Sequence, residues 1–72
     1  SAADMAELQN AQGVDAAKLF LEQMIRHHEG AITMARNEID SGSYPPAIEL
    51  SERIAVDQQR EIDTMRQILA TL

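Results

Sequence analysis

The sequence contains no cysteine and no tryptophan, and its aromatic content is one phenylalanine and one tyrosine in 72 residues. Without cysteine there is no disulfide framework and no thiolate metal site, and cysteine usage says nothing about redox compartment. With so little aromatic mass, leucine, isoleucine, methionine and alanine must supply the core. Basic residues are scarce too: six Lys and Arg face twelve Asp and Glu, for a formal charge of −6 and a pI near 4.6. That balance argues against a nucleic-acid or anionic-membrane partner and makes cations the natural ligands. No apolar run approaches the roughly 20 residues of a membrane span, and no signal peptide is read within the chain. The opening Ser1-Ala2-Ala3-Asp4 fits a mature start after cleavage as well as a cut end.

Helix breakers are equally few, with three glycines and two prolines. A short helix is expected over about residues 3–12, with Met5 and Leu8 sharing a face and Gly13 as a left-handed residue closing it. Asp15 reads as the N-cap of a long helix over about 16–41, with Val14 and Leu19 as a hydrophobic staple. The strong breaker at 41–46, containing Gly42, Pro45 and Pro46, separates it from a second long helix over about 46–70. Two helices joined by so short a link must be antiparallel neighbours. The fold class is therefore all-α: a two-helix hairpin preceded by a short helix. A chain of this size buries a small core, and each long helix has an apolar stripe wider than one partner can cover, so a homodimer completing a four-helix bundle is expected.

The chemistry is concentrated in residues 24–35, which hold both histidines and two of the four methionines. At about 100° per residue, Phe20, Leu21, Met24, His28, Ala31, Ile32, Ala35 and Ile39 share one face. His27 and Met34 lie together on its edge. On the second helix, Gln58 interrupts the apolar face and Glu61 borders it, one turn from Met65. Folding the hairpin near Ser43 pairs positions whose numbers sum to roughly 86, given equal rise in both helices. Met24, His28, Gln58, Glu61 and Met65 then converge in one layer.

Two readings of that layer compete. In one, His28, Gln58 and Glu61 hydrogen-bond one another in a structural or protein-interaction bundle, the methionines filling gaps, because unpaired buried polar groups each cost about 1–3 kcal/mol. In the other, thioether and imidazole together select Cu(I) or Ag(I), since soft sulfur is ignored by hard cations. Met24, His28 and Met65 would form an inner site, Glu61 or Gln58 holding the second imidazole nitrogen, with His27 and Met34 as a weaker site at the rim or dimer contact. Enzymatic readings fit less well. No Glu stands three residues before either histidine as in di-iron bundles, there is no Cys-x-x-Cys-His for haem, and His28-Glu29 lacks the second histidine of a zinc hydrolase.

The run from Phe20 to Ala35, with Gly42, Pro46 and then Ile54 to Met65, resembles the family known as domain of unknown function 305. The signature Met-Ile-x-His-His-x-x-Ala-x-x-Met-Ala falls on Met24 to Ala35, and Gln-x-x-Glu-Ile-x-x-Met falls on Gln58 to Met65. The resemblance implies a ferritin-like helical bundle exported to the periplasm or cell exterior, with copper binding among some members. It places Met24, His27, His28, Met34, Gln58, Glu61 and Met65 at signature positions. The function expected is copper sequestration or transfer, without catalysis.

Overall fold

The computed structural model describes the chain except for Ala11 and the side chains of Leu8, Gln9 and Asn10. It contains three helices, α1 (Ala2–Asn10), α2 (Gly13–Ser41) and α3 (Pro45–Thr71), and no strand among the described residues. The two long helices pack against each other as the expected hairpin. The pairing of Met5 with Leu8 lies outside the described residues.

The helix ends differ in detail from those read in the sequence. Gly13 has a φ of +62°, the left-handed conformation expected of it, but it opens α2 rather than closing α1. The flanking Gln12 is extended and its carbonyl accepts the Ala16 N–H at 3.3 Å, with no side-chain cap. Asp15 therefore sits inside the first turn, where its charge complements the positive end of the helix dipole rather than capping it. At the other end Gly42 is also extended, a conformation open to any residue, and its N–H bonds the Glu38 carbonyl at 2.7 Å. Glycine is needed there for space: a Cβ would collide with the Glu38 carbonyl oxygen and carboxylate. Pro45 opens α3, where a missing N–H costs nothing.

The core is a narrow seam between α2 and α3. Ile25, Ile32 and Ile62 form its centre, Ile62 being 1% exposed, and Met65 and Leu69 pack against them. The seam is rotated toward Ile25 relative to the face read from the sequence, and Phe20 is left 48% exposed. A single neighbouring helix covers a narrower stripe than the periodicity offers, so the outer apolar positions stay open. α1 is held against α2 by the buried Gln23, whose amide donates to the Asp4 carbonyl at 2.8 Å, and by Arg26 3.7 Å from the Asp4 carboxylate.

The Cα atoms span 45 × 27 × 13 Å, so the hairpin is one helix thick. Its two broad sides differ. One carries the Glu29–Arg66 ion pair at 3.8 Å and a shallow groove lined by Arg36, Gln59 and Asp63. The other carries Phe20, Met24, Ala31 and Met34 of α2 beside Ile54, Glu61 and Met65 of α3.

Candidate metal centre

Met24 and His28 stand one turn apart on α2, so their side chains share a face. The His28 side chain is 14% exposed. Its Nδ1 lies 2.7 Å from the Met24 carbonyl oxygen and its Nε2 lies 3.2 Å from Glu61 Oε2. A carbonyl can only accept, so Nδ1 carries a proton and donates it back to the helix. Nε2 is thereby the nitrogen aimed at α3. Facing a carboxylate, its lone pair is opposed unless a proton or another cation stands on it. The ring and the carboxylate thus face each other across the space between α2 and α3.

Met24, His28, Glu61 and Met65 line one open depression of about 390 Å³ on the apolar broad side, floored by Leu21 and bordered by Phe20, Arg60 and Thr64. Four of the seven residues singled out in the sequence are thus brought together. Gln58 is half-buried and does not line the depression. Glu61, not Gln58, meets one imidazole nitrogen, Nε2 at 3.2 Å, while the other, Nδ1, is held by the Met24 carbonyl. Arg60, at the border, is drawn toward Asp57 at 3.7 Å.

His27 and Met34 are placed elsewhere, in a groove of about 470 Å³ with Asp4, Arg26, Gly30 and Ala31. Met34 is 74% exposed. Among the described residues there is no group of three or more His, Asp or Glu side chains arranged around a common point, so a cation held here would draw on sulfur as well as on nitrogen and oxygen. The donor set of the depression fits that demand with two thioethers, one imidazole nitrogen and one carboxylate.

Several bordering residues were not found from the sequence. Arg60 and Thr64 immediately precede Glu61 and Met65 and stand one turn from each other, so the helical period alone could have flagged them together. Phe20 stands one turn before Met24, on the face that the helical period already assigns to it. Asp4 could not have been found, because nothing in the periodicity of α1 says where it docks on α2.

An all-helical hairpin with one layer, one charged side and one thioether–imidazole side defines a small helical-bundle protein built on long α2 and α3. The chain belongs to the family described as Domain of unknown function (DUF305), whose model matches residues 1–69. No curated protein and no solved structure matches the chain.

Proposed function

We propose that this protein binds Cu(I), or its analogue Ag(I), at the depression formed by Met24, His28, Glu61 and Met65. The observation that carries the reading is the His28 ring: its Nδ1–H is committed to the Met24 carbonyl, so Nε2 is presented to the same space that two thioethers and a carboxylate line. A backbone carbonyl is a common outer partner of metal-bound histidine, because it fixes tautomer and ring orientation together. The role is sequestration or transfer of the ion, with no catalysis, in an exported compartment. The hairpin completes a ferritin-like four-helix bundle with a second copy. Export, the ferritin-like bundle and copper itself come from the family resemblance.

A second reading has its own observation. Met65 packs against the Ile25, Ile32 and Ile62 cluster, as a gap-filling core residue would, and His28 with Glu61 satisfies itself as an ion pair. In that case the layer only fixes helix register. Titration with Cu(I) against a competing chelator separates the two. Affinity should fall for His28→Ala and Met65→Leu and be little changed for His27→Ala. It should also fall in acid, because protons compete for Nε2, whereas a site of thioethers alone would respond little. Binding no tighter than to a helical control without Met and His, or an unaffected His28→Ala, would leave the register reading standing.

A further inference from the structure

We infer that Phe20 is a positioning residue of the soft-cation site, holding the Met24 thioether in place and keeping water off the end of the depression where the two sulfurs lie. This rests on the soft-cation reading above and adds the group that orders one of its ligands. Phe20 is the only phenylalanine of the chain, and the other aromatic residue, Tyr44, stands in the link between α2 and α3 at the far end of the hairpin. Phe20 borders the depression, yet it is 48% exposed and lies outside the Ile25, Ile32 and Ile62 cluster. Its bulk therefore serves the core little.

The depression has two ends. His28 Nε2 meets Glu61 Oε2 at 3.2 Å, which marks the nitrogen and oxygen end. Because α3 runs antiparallel to α2, Met65, one turn after Glu61, lies a turn nearer the start of α2. Met24 and Phe20 step the same way along α2, one and two turns before His28, so the Phe20 and His28 backbones are about 12 Å apart along the axis. Met24 and Met65 fall between the imidazole and the phenyl ring. The two thioethers are not held alike, however. Met65 packs against the buried isoleucines, whereas Met24 is half-buried and takes no part in that cluster. Three rotatable bonds leave an unanchored methionine free to turn away, and ordering it costs binding energy. Phe20 precedes Met24 by four residues, the spacing at which phenylalanine and methionine pair on a helix surface, and sulfur is attracted to an aromatic ring. A phenyl ring offers water no conventional hydrogen bond, so the same ring disfavours a hydrated ion at the sulfur end.

A double-mutant cycle tests this directly. Ag(I) is titrated into wild type, Phe20→Leu, Met24→Leu and the double variant. Phe20→Leu should weaken binding by about 2- to 10-fold, the reach of a sulfur–aromatic contact. It should cost nothing more once Met24→Leu has removed the sulfur that Phe20 holds. Phe20→Trp should bind as wild type does, and its indole, the sole one in a chain without tryptophan, should change emission as Ag(I) fills the site. An equal loss in both backgrounds would overturn the inference, as would wild-type affinity in Phe20→Leu or an indole that stays silent through saturation. Were Phe20→Leu to lose helix content, the emission of Phe20→Trp would still decide. If wild type binds Ag(I) no tighter than a helical control without Met and His, the soft-cation reading falls and the role of Phe20 with it. If His28→Ala is weakened and Phe20→Leu is not, Phe20 alone is removed.

Discussion

Replacing Glu61 by glutamine separates the two accounts of the His28 layer, because they assign its carboxylate opposite weights. The Glu61 side chain is 58% exposed, and its polar contact among the described residues is with His28 Nε2 at 3.2 Å. An ion pair so open to solvent contributes about 0–1 kcal/mol, since water screens it and two side chains must be held in place. Glutamine keeps the length, and its amide N–H can donate to the Nε2 lone pair. Stability in urea should therefore fall by no more than about 1 kcal/mol. Cation affinity should respond more strongly, because the lost charge faces the space that the thioethers share. A loss of about 10- to 100-fold is expected, the range found when groups supporting a metal site are removed. Denaturation and Ag(I) titration on one preparation give both numbers. Unchanged affinity would refute the placement of Glu61 at the cation, and a stability loss of about 3 kcal/mol or more would mark Glu61 as part of a hydrogen-bonded core.

The centre of the seam should be more sensitive. Ile62→Ala removes the most buried side chain and should cost about 2–5 kcal/mol, a large share of the roughly 4–11 kcal/mol expected for a chain this size, measurable as a lowered urea midpoint. Gly42→Ala should cost about 1–3 kcal/mol despite an ordinary φ, because its methyl meets the Glu38 carbonyl; thermal melts beside Gly42→Ser should show both lowered. Gly30→Ala should stabilise the isolated hairpin by about 0.5–1 kcal/mol, since Gly30 is exposed and its Cβ direction is open.

The sequence made the long helices, the hairpin and the meeting of Met24, His28, Glu61 and Met65 legible, because each follows from a period of 3.6 and from one breaker around Gly42 and Pro45. It did less well where a tertiary choice intervened. Asp15 has every local feature of an N-cap, yet the helix starts three residues earlier, since Gly13 can adopt a positive φ and let the chain turn sooner. Gln58 lies on the apolar face by count and is half-buried there, but it does not line the depression. The contact of Glu61 with His28 follows from the hairpin register, whereas the Met24 carbonyl that meets Nδ1 is of a kind offered at every helical position and leaves no mark in the sequence. The docking of α1 depends on Gln23, a polar residue that no apolar pattern points to.

That carbonyl has a mechanical consequence. In α2 the Met24 oxygen receives the backbone N–H of His28 as well as its Nδ1–H, so a single atom clamps both the main chain and the ring of the same residue. The imidazole of α2 is in effect cast as one rigid jaw, which holds its shape for as long as that turn of helix survives. Glu61 and Met65 form the opposing jaw on α3, joined to the first through the short link at 42–44. Such a clasp would release an ion by parting the jaws rather than by loosening a ligand. Exchange with an acceptor would then be governed by how far α3 swings from α2, and a shorter or stiffer hinge would slow transfer while leaving the grip unaltered.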